Sequence, residues 1–313
     1  MTLTDFNSLS LEDCGAALVT DAELSRLMAV TLAEDGVEAG DISTLTIVPE
    51  GRSVTAELVV RESGVLSGMA LLARAAALDP MNGRLHIDVL VKDGEAVDAG
   101  AVIGRVSGRW RDVLTCERTV LNLLSRLCGV ATRTARFVGA VHAVSSEVKV
   151  CDSRKTTPGL RFVEKYAVRC GGGYLHRIGL DDAVMYKDNH LASIPPAQLP
   201  GVLTDAITAA RRERALRFVC IEVDRLDQLD MVLGLDAGLV DIVLLDNMDC
   251  DTLVEAVARR DASGRGIALE ASGGVTFDTV VDIARTRVDR IAIGSITHGV
   301  KWLDIGLDIK VDD

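Results

Sequence analysis

Residues 242–246 read Ile242-Val243-Leu244-Leu245-Asp246, an apolar run that ends in a carboxylate. The same interval of 24 residues separates the polar or glycine ends of four successive runs, at Glu222, Asp246, Glu270 and Gly294. An interval of this length fits one strand followed by one helix. Because strands that are buried on both faces are apolar throughout, the pattern predicts a parallel sheet covered by helices.

The pattern extends back along the chain to Val148. Closure of the strands into an α/β barrel is the expected form, and an open doubly wound sheet is the alternative. In either architecture ligands bind at the C-terminal ends of the strands, which is where the polar residues lie. The six runs are Val148–Asp152, Val184–Asp188, Val219–Asp224, Ile242–Asp246, Ile267–Ser272 and Ile291–Ser295.

The first third of the chain has a mixed α and β pattern. Strands are predicted at Ser53–Arg61 and Leu85–Val91, and an apolar helix near Met69–Leu78. The stretch Val91–Ile103 resembles a hairpin of the biotinyl/lipoyl barrel-sandwich type. A carrier module would need an exposed lysine on a tight turn upstream of this hairpin, and the sequence has none there. We therefore expect the hairpin to be structural.

Composition excludes several classes of function. The net charge of −12 argues against a nucleic-acid surface, because phosphate backbones are bound by Lys and Arg. No apolar run reaches the roughly 20 residues of a membrane span, and the N-terminus lacks a secretory pattern. The seven scattered cysteines contain no C-x-x-C pair, which favours reduced, mostly buried thiols. We therefore expect a cytoplasmic protein without a membrane partner.

Positive charge is concentrated in one segment. Between Arg105 and Lys187 there are 15 Lys and Arg against 7 Asp and Glu, a surplus of eight positive charges in an acidic chain. Such a segment suits a small polyanion. Arg154, Lys155 and Lys187 lie at or just beyond predicted strands, where several cations could orient a substrate with two carboxylates. Surface solvation is the alternative for any one of them.

Two further features point to a phosphorylated sugar. The last two strand ends run into Ser272-Gly273-Gly274 and Gly294-Ser295, and such turns let backbone N–H groups approach a phosphate. Glu222 and Asp246 end consecutive strands, and a buried carboxylate there needs a partner. Ribose hydroxyls or Mg²⁺ are suitable partners. Structural turns, helix caps and pairing with a core arginine are the alternatives.

At this point the sequence resembles the quinolinate phosphoribosyltransferases, also called nicotinate-nucleotide pyrophosphorylases (carboxylating). The resemblance is continuous from about Asp41 to Leu307. Its most specific blocks are Glu117–Asn122, Asp152–Gly159, Lys165–Val168, Gly171–Arg177, Lys187–His190, Glu222–Val223, Leu245–Asn247, Ser272–Gly274 and Gly294–Ser295.

The resemblance implies a fold and an assembly. It implies an N-terminal open α/β sandwich domain over residues 1–120, joined by the C-terminal tail 299–313, and an incomplete α/β barrel as the catalytic domain over residues 121–298. It also implies a homodimer with shared active sites, with higher assembly left open. The implied reaction joins quinolinate to phosphoribosyl pyrophosphate and yields nicotinate mononucleotide, CO₂ and pyrophosphate in de novo NAD biosynthesis.

The resemblance also implies roles for individual residues. Lys187, Glu222 and Asp246 would be catalytic. Glu222 and Asp246 would hold the ribose and Mg²⁺, with Asp188 as a further metal ligand, directly or through water. Quinolinate would be bound by Arg154, Lys155, His176, Arg177 and Lys187, with Arg118 reaching in from the other subunit; the 5′-phosphate would be bound by Ser272, Gly273, Gly294 and Ser295.

Two other enzymes and one carrier compete with this interpretation. A molybdenum-associated relative shares the fold and the Arg-Lys-Thr block but tends to lose the later lysine, which is present here as Lys187. A nicotinate phosphoribosyltransferase handles one carboxylate and should need fewer cations. A barrel-sandwich carrier is disfavoured by the missing lysine and by the complete set of cations.

Overall fold

The structure, a computed structural model, describes residues 3–310, which fall into two compact units. The antiparallel unit comprises Phe6–Ala135, Thr156–Gly172 and residues 296–310, and the parallel unit comprises residues 3–5, Arg136–Lys155 and Gly173–Ser295. The helix Trp110–His142 runs through the domain boundary predicted at residue 120, and that boundary stays a prediction. Residues 1–2, at the start of the predicted N-terminal domain, and residues 311–313, at the end of the predicted tail, lie outside the described residues.

The antiparallel unit is built on a four-stranded sheet. Its strands lie in the order β12 (Ile305–Lys310), β1 (Ser53–Val60), β5 (Val102–Arg109) and β3 (Leu85–Val89). In β1 every second residue is buried, at Val54, Ala56 and Leu58, as expected for a strand with one face on the core. The tail strand β12 pairs antiparallel with β1, with Leu307 opposite Leu58. Its strands are β1 (Ser53–Val60), β2 (Gly64–Val65), β3 (Leu85–Val89), β4 (Ala96–Val97), β5 (Val102–Arg109) and β12 (Ile305–Lys310).

Helices complete this unit, and they follow the sequence signals. The helix predicted near Met69–Leu78 occupies Met69–Ala76 and packs on β3 with a mostly buried face. The stretch Val91–Ile103 connects the antiparallel strands β3 and β5 and contains β4, which pairs with β2. The helices are α1 (Leu11–Leu18), α2 (Asp21–Glu34), α3 (Ile42–Ile47), α4 (Met69–Ala76), α5 (Trp110–His142, which continues into the parallel unit) and α6 (Arg161–Cys170).

The parallel unit contains all six predicted strands in one parallel sheet. The strands are β6 (Lys149–Cys151), β7 (Val184–Tyr186), β8 (Val219–Val223), β9 (Ile242–Asp246), β10 (Ala268–Ser272) and β11 (Arg290–Ala292). Helices separate most of them: α7 (Asp188–Leu191), α8 (Leu199–Glu213), α9 (Leu226–Leu233), α10 (Cys250–Ser263), α11 (Val280–Arg285) and the short α12 (Ser295–His298).

The strand order identifies an incomplete barrel, which confirms the predicted fold class. The order is β6-β11-β10-β9-β8-β7, so five strands are consecutive and the first strand in sequence lies beside the last. An order that returns to its own beginning is the order of a barrel, and the gap lies between β6 and β7. On the gap side of β6 there is one parallel bridge, from Cys151 to Tyr174.

Strand register identifies the side chains that share the inner face of the sheet. Paired residues of parallel strands point to the same side, and successive residues alternate. Cys220 is opposite Met185 and Ile242, and Ile242 is opposite Ala268. These residues pack together as an apolar cluster around buried Cys220. We call this side the inner face.

Two predictions about composition can be compared with the described residues. No described helix combines the length and the apolar character that crossing a membrane would require. All seven cysteines are free thiols; six are buried and Cys250 is partly buried, which confirms the prediction of reduced, mostly buried thiols.

Candidate active site

Several predicted site residues meet on the inner face at the carboxyl edge of the parallel sheet. Glu222 lies opposite Leu244, and Ser272 lies opposite Asp246 in the β9–β10 register. Lys187 follows β7 directly and is two residues beyond Met185, so it continues the same side of that strand. The polar strand ends predicted from sequence therefore meet at one edge.

Lys187 and Glu222 form an ion pair across neighbouring strands, between Nζ and Oε2. The backbone of Lys187 is held by the turn that follows, since its N–H donates to Nδ1 of His190 at 3.1 Å and its carbonyl accepts from the His190 N–H. The Glu222 side chain is 14% exposed, which leaves its carboxylate largely desolvated. The partner that a buried carboxylate requires is therefore supplied by a predicted substrate-binding cation.

The turn after β10 is built against the turn after β9. The N–H of Asn247 donates to the carbonyl of Ser272 at 2.8 Å, and Asn247 Nδ2 donates to Asp246 Oδ2 at 2.7 Å. Gly273 has φ +93°, and a Cβ at this position would collide with the Asn247 amide. Gly274 also has positive φ, +59°, but open space lies around it. Of these two glycines, Gly273 is the one that needs glycine for both conformation and space.

The segment that carries His176 and Arg177 is fixed to β6. The His176 N–H donates to Asp152 Oδ1 at 2.7 Å, and Asp152 is completely buried. Farther along, Ile178 and Gly179 donate their N–H groups to the carboxylate of Asp182 at 2.8 and 3.0 Å. The two aspartates hold the backbone on both sides of Arg177. Neither was identified from the sequence, although Asp152 opens the Asp-Ser-Arg-Lys block.

Arg154 affects the pKa of Arg177 in this region. Burial, and then the positive charge of Arg154, lower the pKa of Arg177. Arg154 is partly buried, and its Nε finds no hydrogen-bond partner within residues 3–310. Lys155 follows on the same loop, and its N–H donates to the hydroxyl of Ser153 at 3.1 Å. Neighbouring, partly desolvated guanidinium groups are an arrangement that an anion would stabilise.

The remaining predicted site residues belong to different units: Gly294 and Ser295 to the parallel unit, and Arg118 to the antiparallel unit. Gly294 and Ser295 follow β11, whose extension is held by a hydrogen bond from the Ile293 N–H to the Cys151 carbonyl at 2.9 Å. Arg118 lies on α5 in the antiparallel unit, where its side chain is 63% exposed and pairs with Glu117 at 2.6 Å. Its role in a partner subunit stays a prediction.

A cavity of about 490 Å³ opens beside the carboxylates of the parallel unit. Asp188, Glu222 and Asp246 lie in its wall, together with apolar side chains that include Leu199 and Met231. This volume is in the range of small-molecule sites. The cavity therefore brings together the three residues predicted as metal ligands.

The carboxylates of this cavity suit Mg²⁺ when oxygens of phosphate and water complete its coordination. Within the described part of the chain, no three or more His, Cys, Asp or Glu side chains are grouped so that they could hold a metal by themselves. Mg²⁺ commonly uses one or two carboxylates and takes its other oxygens from phosphates and water. Glu222 and Asp246 fit that arrangement, and Asp188 in the same wall fits a contact through water.

A second charged cluster lies on the inner face, with Glu270 level with Glu222, and it was missed from the sequence. Glu270 is completely buried, accepts from Arg290 Nε at 2.6 Å and lies 3.1 Å from His176 Nε2. Burial alone would raise its pKa, but the electrostatic effect of nearby His176 and the ion pair and hydrogen bond with Arg290 outweigh burial and lower the pKa to about 2. A signal was present, because the 24-residue interval puts Glu270 in line with Glu222 and Asp246.

Fold and site together define a class: a two-domain protein with an incomplete α/β barrel and a candidate site for a multiply charged ligand at the barrel's carboxyl edge. Both parts of the chain match models of one family. Residues 41–128 match the quinolinate phosphoribosyl transferase N-terminal domain, and residues 130–308 match the C-terminal domain. The chain belongs to the quinolinate phosphoribosyl transferase family.

Individual relatives agree with this assignment. The nicotinate-nucleotide pyrophosphorylase (carboxylating) of Mycobacterium leprae is 41% identical over 274 residues, which are 86% of this chain and 91% of the relative. A probable enzyme of the same name from Bacillus subtilis is 36% identical, over 93% of this chain and 95% of the relative. The solved nicotinate-nucleotide pyrophosphorylase of Francisella tularensis superposes with a TM-score of 0.79 at 34% identity, covering 99% of this chain and 100% of that one.

Proposed function

We propose that this chain transfers the phosphoribosyl group of phosphoribosyl pyrophosphate to the ring nitrogen of quinolinate, and that CO₂ and pyrophosphate are released. The product would be nicotinate mononucleotide, an intermediate of NAD biosynthesis. The observation that carries the proposal is the joint position of Lys187, Glu222, Asp246 and Ser272 on one face at the carboxyl edge, in a chain that matches the family along both domains.

Recognition of quinolinate would depend on cations that are already close together. Arg154 and Arg177 are near enough for the charge of one to lower the pKa of the other, and both are partly buried. Two carboxylates placed between them would remove this repulsion and form charge-assisted hydrogen bonds. A ring with two carboxylates uses more of these cations than nicotinate would, which favours quinolinate over the single-carboxylate alternative.

Transfer of the sugar would depend on the carboxylates. Positive charge develops on the ribose as pyrophosphate leaves, and a fixed carboxylate beside it lowers the energy of that transition state. Glu222 is now paired with Lys187, so the bound substrates would take the place of that contact: quinolinate at the lysine and ribose at the carboxylate. The two side chains would then serve both substrates from adjacent strands.

Loss of CO₂ follows from the product of the transfer. Once the ring nitrogen carries the ribose it is positively charged, and the bond to the adjacent carboxylate can break because the electron pair left on the ring is stabilised by that charge. The ring carbon would then take up a proton from water to give nicotinate mononucleotide. Residues that hold both carboxylates would also orient the nitrogen toward the sugar, which is a proximity effect. Glu222 and Asp246 are the residues that would hold Mg²⁺, whose chemistry here is to neutralise charge on the departing pyrophosphate.

Assembly and location also belong to this proposal. We propose a homodimer in which Arg118 contributes to the partner's site. The exposed apolar side chains of α3, with Ile42 78% and Ile47 82% exposed, support an interface on the antiparallel unit. The seven unpaired thiols support a reducing compartment such as the cytoplasm.

The test is a direct assay of the purified protein with Mg²⁺, phosphoribosyl pyrophosphate and either quinolinate or nicotinate. We expect nicotinate mononucleotide from quinolinate, with one CO₂ released per product, and little product from nicotinate. Arg259→Ala removes a cation from an exposed ion-pair network on α10 and is a matched control that should keep full activity. Product from nicotinate alone, or no product from either, would refute the proposal.

A further inference from the structure

His176 is enclosed by protein groups rather than open to a ligand. The residue is 6% exposed, and the edge of its ring packs against Phe218 with centroids 5.0 Å apart. Its Nδ1 lies 2.8 Å from the backbone N–H of Arg177, and its Nε2 lies 3.1 Å from Glu270 Oε1. Nδ1 therefore accepts a hydrogen bond within the parallel unit, whereas Nε2 lies within ion-pair distance of the carboxylate and has no hydrogen-bond partner among residues 3–310.

These contacts select one tautomer of the imidazole. Nδ1 faces an N–H donor, so it must be the unprotonated nitrogen that accepts. The proton of the neutral ring is then on Nε2, which faces a carboxylate oxygen. Glu270 is in turn held by Arg290 Nε at 2.6 Å, so the carboxylate cannot rotate away from the ring without losing a buried ion pair.

The position of Arg177 depends on this arrangement. Its neighbours are fixed by Asp152 and Asp182, but its own backbone N–H has the imidazole as its partner. Glu270 is two residues before Ser272 on β10, about 7 Å along the strand, and it is level with Glu222 because both lie opposite Leu244. Glu270 and His176 thus adjoin the residues predicted to bind substrate on the inner face.

We propose that Glu270 and His176 are a positioning pair: the carboxylate fixes the imidazole so that Nδ1 holds the backbone of Arg177, and His176 contributes to quinolinate binding through Arg177 rather than by its own contact. The pair deepens the proposed function, on which it rests only for the identity of the ligand that Arg177 binds. The arrangement itself can be tested without turnover.

The tautomer is the first test. Nitrogen NMR of the ¹⁵N-histidine-labelled wild-type protein at pH 7 should give one protonated and one unprotonated ring nitrogen for His176, with the proton on Nε2. The chain has five histidines, so the His176→Gln variant assigns the signals by their loss. A proton on Nδ1, or protons on both nitrogens, would overturn the proposal whether or not the protein is active.

Two substitutions separate positioning from direct contact. His176→Asn keeps an oxygen acceptor near the place of Nδ1 and loses the Nε2 donor, whereas His176→Gln keeps an N–H donor near the place of Nε2 and loses the acceptor. Both remove the ring from Phe218, so each controls for the stability of the other. We expect the KM for quinolinate to rise about tenfold or more in His176→Gln and only a few-fold in His176→Asn, as loss of one buried hydrogen bond predicts.

The KM for phosphoribosyl pyrophosphate should stay near the wild-type value in both variants. A direct contact through Nε2 predicts the opposite order of quinolinate KM values, and that order, equal losses or no loss would each overturn the proposal. Failure of the proposed function is recognised separately, because the wild-type protein would then form no mononucleotide while the NMR experiment still reports the tautomer.

Substitution of the carboxylate gives an independent test. In Glu270→Gln the side-chain oxygen can face Arg290 or His176, but not both, so one contact is lost in either orientation. We expect a few-fold rise in the KM for quinolinate, as in His176→Asn, because Nδ1 remains as the acceptor for the Arg177 N–H. Asp289→Asn is the matched control, since Asp289 accepts from Arg260 and from the Leu269 N–H at the amino end of β10. A control that raises this KM as much would reduce Glu270 to a structural residue and overturn the proposal.

Discussion

The turn at Gly273 offers the sharpest test of the candidate phosphate site, because two separate requirements for glycine coincide there. Its φ is +93°, and a Cβ would meet the Asn247 side-chain amide and, at 2.9 Å, the Asn247 backbone nitrogen. Gly264, which ends α10, has φ +65° with nothing within 4 Å of a Cβ. Comparison of Gly273→Ala with Gly264→Ala therefore separates the clash from the conformation.

The expected loss of stability in each variant follows from the left-handed conformation and the clash. A left-handed conformation costs an alanine about 1–2 kcal/mol, which both variants share. At Gly273 the Cβ must also displace Asn247, whose N–H donates to the Ser272 carbonyl at 2.8 Å, and loss of such a bond costs about 1 kcal/mol. We expect Gly273→Ala to destabilise the protein by about 2–3 kcal/mol and Gly264→Ala by about 1–2 kcal/mol.

The functional readout is the KM of each substrate. Displacement of the Ser272–Gly273 turn removes backbone donors from a phosphate, so the KM for phosphoribosyl pyrophosphate should rise about tenfold or more while that for quinolinate changes little. Gly264→Ala should leave both KM values unchanged. Thermal melting and steady-state kinetics measure the two effects. Equal melting temperatures of the two variants would refute the steric argument, and equal rises in both KM values would refute the phosphate role of the turn.

Other predictions address the remaining charges. Lys187→Ala should lower turnover of quinolinate about a hundredfold or more in a folded protein, because a positioned cation is lost; near-normal turnover would contradict its assignment. Ser272→Glu should weaken phosphoribosyl pyrophosphate binding far more than quinolinate binding in calorimetry, since it sets an anion against the phosphate. The pKa of Glu270 is depressed from 4.5 to about 2 in the folded protein, so its contribution of ~3 kcal/mol is complete above pH 4.5 and declines as the pH falls toward 2. Thermal melts of Glu270→Gln should therefore fall less steeply below pH 5 than those of the wild type. Co-refolding of Arg118→Ala with Lys187→Ala should restore about a quarter of wild-type activity if the sites are shared, because about half the dimers are mixed and one of their two sites is complete; an inactive mixture with confirmed mixed dimers would exclude shared sites.

Much of the parallel unit could be predicted because its signals are local. An apolar strand that is buried on both faces has a composition of its own, and the six predicted runs coincide with the six strands to within a few residues. The polar residue that ends each run is also local information, which is why Glu222 and Asp246 were identified. The choice between a barrel and an open sheet was different, since it depends on the pairing of β6 with β11, and that pairing leaves no trace in either segment.

The contacts among Glu270, Arg290 and His176 could not be predicted for a related reason. Glu270 lies on the same 24-residue grid as Glu222 and Asp246, but its environment depends on Arg290 from the next strand and on His176, which is 94 positions earlier in the sequence. The family resemblance implies that His176 binds quinolinate, and that role stays a prediction. Only the distances from its two nitrogens indicate that both face protein groups.

One strand pattern supplies carboxylates in two different environments, Glu222 and Asp246 at the cavity and Glu270 in the core. Glu222 and Asp246 lie where the cavity reaches the carboxyl edge, so their partners can be exchanged for a ligand. Glu270 has the same position in its repeat but is completely buried between a guanidinium group and an imidazole, so its partners are permanent. A buried ion pair stabilises little by itself but strongly disfavours any other arrangement of its members. The repeat therefore predicts residues that would act on substrate where it opens to the cavity, and residues that would hold the others in place where it is closed.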